Sequence, residues 1–263
     1  VSGQQNASYE VCWVGQCPSG HEDNRKKIGE KISEVIFGRK PSEVVKPFGV
    51  IAISKDHLLM ADQGRGTIFE CKDGNLDEMK GITKDTPPFP SLVGMTRLPG
   101  GTLLFTDSRL NGIFSMDDQR FTSFSDNLSL VQPTGIAFSK KTQEVWVVET
   151  GAHRIAILNG EGKVLKHIGE RGSSEGAFNY PTFIWIDDSG KVYIVDSMNF
   201  RIQVLDPQGN FLYAFGENGD ATGTMARPKG VATDSRGNIY VADALFHVVQ
   251  IFDATGNFLY SFG

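Results

Sequence analysis

Residues 195–216 read VDSMNFRIQVLDPQGNFLYAFG, and residues 242–263 read ADALFHVVQIFDATGNFLYSFG. Ten of these 22 aligned positions are identical, among them Asp196/Asp243, Gln203/Gln250, Asp206/Asp253 and Gly209/Gly256. A chain that writes one short segment twice must shelter one copy against the next, because a unit of this size has no core of its own. The segments in front of the two copies also match: PTFIWIDDSGKVYIVD from Pro181 and PKGVATDSRGNIYVAD from Pro228. Fainter copies start at Gln132 (QPTGIAFSKKTQEVWVVET), Ser91 (SLVGMTRLPGGTLLFTD) and Lys46 (KPFGVIAISKDHLLMAD). Each closes on an acid, at Asp62, Asp107, Glu149, Asp196 and Asp243, so the intervals are 45, 42, 47 and 47 residues.

Each copy holds four short runs rich in Val, Ile, Phe and Tyr, as in GVATD, NIYVAD, VVQIFD and FLYSFG. Gly/Asp/Asn/Ser turns such as Asp188-Ser-Gly190 and Pro207-Gln-Gly-Asn210 separate them, which is the pattern of strands joined by hairpins. The turns are too short for helical crossovers, so neighbouring strands are antiparallel. A repeated four-stranded unit of about 45 residues predicts a blade of an all-β propeller. The 30 glycines suit the number of turns this demands.

The string P-x-G-[IV]-A, then [IV]-Y-[IV]-[AV]-D, then HRI or FRIQV, then a G-x-[FV]-L-x-x-[FI]-G close resembles the NHL repeat. The resemblance covers residues 46–263 and is strongest in the last three copies. It implies a β-propeller of four-stranded antiparallel blades, six in the usual NHL domain. The phrases VDSMNFRIQV, RPKGVA and VADALF further resemble bacterial, extracytoplasmic NHL-repeat proteins, which implies a location in the periplasm, the cell envelope or outside the cell.

Five blades are complete, over about 46–85, 91–126, 132–170, 180–217 and 227–263. Residues 1–45 form an extension. Tyr9, Val11 and Trp13 alternate with Glu10, Cys12 and Val14 as in a half-buried strand. Ile28, Ile32, Val35 and Ile36 recur at helical spacing within 21–37, and Gly38 is a natural stop. The expectation is a six-bladed ring with its last blade incomplete here, to which Tyr9–Val14 gives a strand. A five-bladed ring is the alternative. Cys12, Cys17 and His21 match neither zinc nor haem spacing, and Cys71 reads as a small buried apolar residue.

Two sets of loops share one face: those joining strands two and three, and those joining strand four to the next strand one. They carry Arg65, Arg109, Arg154, Phe200, Arg201, Phe246 and His247, the expected ligand-binding face. The strand-ending acids recur in every blade and read as caps on the following turn. His153 and His247 share a repeat position with Phe200, so that position needs no ionisable group. Arg154 and Arg201 read as partners of the repeat acids. Arg65, Arg109 and Phe246 depart from the repeat, and departures are where a ligand is read.

A net charge of −5 argues against nucleic acid as a partner. No window of 18 uncharged apolar residues spans a membrane. Six-bladed propellers also include metal-dependent lactonases and lyases, whose ion is held over the hub by several blades. The hub should be lined by the first strands, FGVIA, LVGMT, TGIAF, TFIWI and KGVAT, and none of these holds Asp, Glu, Asn or His. The expectation is a non-catalytic binding or scaffold module for a protein, peptide or glycan, with no catalytic residue, metal or cofactor. A metal-dependent hydrolase or lyase is the alternative.

Overall fold

The computed structural model of the protein describes residues 44–79, 89–117, 120–124 and 129–263. The strand expected over Tyr9–Val14, the helix expected within 21–37, and Cys12 and Cys17 lie outside the described residues. Twenty strands form five four-stranded antiparallel sheets, each a continuous stretch of chain with its strands in sequence order. The blades span 47–78, 92–123, 133–168, 181–215 and 228–262. The protein is thus an all-β propeller, and the five complete blades read from the sequence are the five found among the described residues. Each acid-ending repeat unit makes one blade, and five such units give five.

The first strand of each blade lies innermost and packs beside the first strand of the next blade. These strands are Pro47–Ser54, Leu92–Arg97, Pro133–Ser139, Pro181–Ile186 and Pro228–Thr233. Their pairing shifts register two or three residues in, between Pro47 and Gly49, Leu92 and Met95, Pro181 and Phe183, and Pro228 and Gly230. Proline suits this site because a strand's first residue needs no ladder N–H. The glycine that follows has a steric reason. A Cβ on Gly49 would lie 2.9 Å from the Val93 carbonyl oxygen, and one on Gly135 would lie 2.8 Å from the Ile184 nitrogen. One on Gly94 would be driven into the Thr134 carbonyl oxygen. The repeat glycine is therefore where adjacent blades come closest.

Four apolar layers join consecutive blades. Between blades 3 and 4, Trp146, Val148, Ile155 and Ile157 meet Ile184, Ile194 and Leu205, with Phe178 entering from the connecting loop. Tyr193, Val195, Ile202 and Val204 meet Val231, Val241 and Phe252 between blades 4 and 5. Equivalent layers lie between blades 1 and 2 around Phe105 and Phe89, and between blades 2 and 3 around Leu104 and Val147. Among the described residues no such layer joins blade 5 to blade 1. Val50 on blade 1 is 63% exposed, and Ala242 on blade 5 is exposed where its counterpart Val195 is buried.

Cys71 is buried, as expected, but it is disulfide-bonded rather than a free apolar residue. Its partner lies outside the described residues. Alternation within one strand could not reveal a bond made to a distant segment.

Candidate functional site

The strand-ending acids organise the loop face. Asp62, Asp107, Glu149, Asp196 and Asp243 are all buried. Each reaches back to the loop that precedes its own blade. Asp107 accepts from the Ser91 N–H at 2.8 Å, Glu149 from Val131 at 2.9 Å, Asp196 from Asn179 at 2.7 Å and Asp243 from Ala226 at 2.8 Å. In blades 1, 2 and 5 the acid also caps the turn that follows it. Asp62 accepts from the Arg65 N–H, Asp107 from Arg109 and Leu110, and Asp243 from Leu245 and Phe246. A buried carboxylate is tolerable when several N–H groups share its charge.

In blades 3 and 4 the turn is a single 3-10 turn, Thr150–Ala152 or Ser197–Asn199, without a side-chain cap. There an arginine serves the acid instead. Arg154 Nε donates to Glu149 at 2.7 Å, and Arg201 Nε donates to Asp196 at 2.9 Å. Arg201 also donates to the Ser174 and Ala177 carbonyls, and Gln203 to Ala177 and Asp196. These side chains fasten the incoming loop.

Four residues after each acid stands Gly66, Asn111, His153, Phe200 or His247, with φ of 64°, 54°, 55°, 55° and 58°. The position is left-handed in every described blade, so the backbone sets the requirement and four residue types meet it. His153 is buried beneath Tyr180, 4.3 Å between ring centroids, and its Nδ1 accepts from the Tyr180 N–H at 3.1 Å. Phe200 packs against the apolar layer between blades 4 and 5. His247 is exposed and Phe246 half-buried on the blade 5 loop.

Two of the three departures from the repeat are arginines at loop tips, Arg65 and Arg109. Arg65 lies outward, 3.8 Å from Glu78 on the outermost strand of its blade and over the Phe69 ring. Arg109 lies in a groove of about 800 Å³ that crosses the loop face of blades 1 to 3. Lys46, Gln63, Ser91, Ser108, Asn111 and Gln132 line it as well. Ser91 and Ser108 share a hydrogen bond at 2.6 Å, Gln63 donates to Ser91 at 3.2 Å, and Asn111 Oδ1 accepts from the Gln132 N–H at 2.8 Å.

Of the expected face residues, the groove therefore gathers only Arg109. Arg154 is on blade 3 but outside the groove lining, and Phe200, Arg201, Phe246 and His247 stand on blades 4 and 5. Sequence reading missed Lys46, Ser91 and Gln132. All three fill one repeat position, just before the first strand, which in blades 4 and 5 holds Tyr180 and Arg227. That column varies from blade to blade, and its variation was the available signal. Among the described residues no three of His, Cys, Asp and Glu are grouped so that they could hold a metal ion. Among the described residues no helix is long and apolar enough to cross a membrane.

No family model matches the chain, and no curated protein matches it. Solved structures do. Virginiamycin B lyase from Staphylococcus aureus aligns with a TM-score of 0.62 at 17% identity, over 84% of this chain and 71% of that one. A streptogramin B lyase aligns at 0.63 and 15%, over 84% and 70%. A chain of the nidogen/laminin complex aligns at 0.62 and 19%, over 82% and 79%. At such identities the likeness speaks for the fold alone. Five radially packed four-stranded sheets and these neighbours together establish that the chain is a β-propeller.

Proposed function

We propose that the chain is an NHL-type propeller acting as a non-catalytic binding or scaffold module, with the groove over blades 1 to 3 as its contact surface. One observation carries this reading. The loop face bears an open groove lined by side chains that vary between blades, while the repeated side chains beneath it are spent on holding loops together. A rigid scaffold that frees only its loop tips is the common design of binding surfaces. The partner is a protein, peptide or glycan. A neighbour drawn from a protein complex is compatible with this.

The metal-dependent hydrolase or lyase reading requires ligands converging from at least three blades. The described residues offer no such group, and the likeness to two lyases is one of fold. We place the protein outside the cytoplasm. The disulfide at Cys71 supports this, because such bonds persist in oxidising compartments; recovery of the protein only from the cytoplasmic fraction would refute it.

Glycan and peptide arrays probed with the wild type and with Val131→Trp, which fills the groove from an exposed position, test the contact surface. We expect the wild-type signal to fall at least about tenfold in the variant. Signal unchanged by Val131→Trp but lost in Phe246→Ala would move the surface to blade 5 and sink the groove assignment.

A further inference from the structure

We infer that the groove over blades 1 to 3 takes an acidic oligosaccharide, with its carboxylates held by Lys46 and Arg109. This rests on the groove being the contact surface and names what it binds.

Charge is the first argument. The chain carries a net charge of −5, yet the groove lining includes two cations and no acid. The repeat acids of these blades, Asp62, Asp107 and Glu149, are buried and already engaged by backbone N–H groups, Glu149 also by Arg154. The cations are not engaged. Among the described residues neither Lys46 nor Arg109 has an ion-pair partner, whereas Arg65, Arg154 and Arg201 do.

The positive sector extends around the rim. Arg227 occupies on blade 5 the repeat position of Lys46, and Lys229 follows on the first strand of that blade. Burial, with Arg227 and Lys46 adding repulsion, pushes the Lys229 ammonium below its usual range. Like charges gathered on one rim without counter-charge destabilise the fold, and a polyanionic guest would relieve them.

Hydrogen-bonding capacity is the second argument. Asn111 has spent its oxygen on the Gln132 N–H, which leaves its amide donors. Lys offers three donors and Arg five. The lining is donor-rich, so it suits an acceptor-rich guest, and its hydroxyl and amide groups match sugar hydroxyls. The volume falls within the roughly 300–1,000 Å³ of small-ligand sites. No aromatic ring lines the groove, although single-stranded nucleic acid is held by stacking platforms. Its only apolar side chains are Pro90 and Val131, whereas peptides are anchored by large apolar or aromatic side chains in fitted pockets.

Calorimetric titration of the chain with oligogalacturonate tests this, beside its methyl ester and an oligoglutamate of equal charge. We expect oligogalacturonate to bind and to weaken as salt is raised. The ester should bind at least about tenfold more weakly, and Lys46→Gln and Arg109→Gln should each cost about tenfold. Arg65→Gln should leave binding unchanged, since Arg65 faces Glu78. Equal binding of the ester or of oligoglutamate, indifference to Lys46→Gln and Arg109→Gln, or no binding of oligogalacturonate would each overturn the ligand class. The groove assignment itself would then still be decided by the response of the arrays to Val131→Trp.

Discussion

Blades 4 and 5 are written in nearly the same letters, and they sit in different surroundings. In blade 4, Tyr193, Val195 and Ile202 turn toward blade 5 and are buried. Their counterparts in blade 5 are Tyr240, Ala242 and Val249, of which Ala242 is exposed and the other two half-buried. The repeat glycine tells the same story. Gly49, Gly94 and Gly135 each press on the next blade's first strand, while a Cβ on Gly230 would meet nothing within 4 Å. A repeated sequence thus makes equal sheets of unequal worth, because what stabilises a blade is the neighbour it packs against.

The largest effect should come from core truncation. Ile155→Ala, in the layer between blades 3 and 4, should lower the unfolding free energy by about 4 kcal/mol. Val249→Ala, at the same repeat position in blade 5, should cost only about 1 kcal/mol. Equal losses in urea titrations would erase the distinction between blades 3 and 5. The glycines give a second contrast. Gly94→Ala should destabilise by about 3 kcal/mol through the clash with Thr134, while Gly230→Ala should stay within about 0.5 kcal/mol. A similar shift in thermal midpoint for the two would mean that contact with a neighbouring blade is not what decides the site.

The smallest effect should appear in both blades with the same sign, because it is local. The hairpin turns hold Asp206 in blade 4 and Asp253 in blade 5, each accepting from the backbone N–H groups two and four residues on. Burial tends to raise both carboxyls. The bonds from Asn210, and from Asn257 and Thr255, outweigh it and hold both below the usual carboxylate range. A depressed folded pKa gives stability that is present above the unfolded pKa of about 4 and is lost as pH falls below it. Stability should therefore decline below about pH 4. Asp206→Asn and Asp253→Asn should each flatten that decline slightly, Asp253→Asn the more, because Asp253 also accepts from the Thr255 hydroxyl. Asn159 fills the post in blade 3 with the same two backbone bonds, so the turn itself should survive. A larger effect of Asp206→Asn than of Asp253→Asn, in pH-dependent denaturation, would show that the turn senses its surroundings.

The fold was legible because its signals are local. Turn residues at fixed offsets, alternation of apolar residues and the recurring acid mark each strand without reference to any distant residue. The roles of Arg154 and Arg201 could be read for the same reason, since each lies five residues from the acid it serves. The groove was not legible in this way. Its lining comes from loops of three blades, and Lys46, Arg109 and Gln132 meet only when those blades stand side by side. Arg65 and Arg109 look alike in the sequence as departures from the repeat. One turns outward to Glu78 and the other lines the groove, and loop direction alone separates them.

The amino-acid sequence by itself determined the blade: its four strands, its hairpins and the acid that clamps its incoming loop, all fixed by backbone hydrogen bonding within some 45 residues. Only the tertiary structure decided which faces are covered and where, among the described residues, cations gather without ion-pair partners. Those features depend on contacts between segments far apart in the chain, and a side chain's burial and charge environment are set by what the fold places beside it.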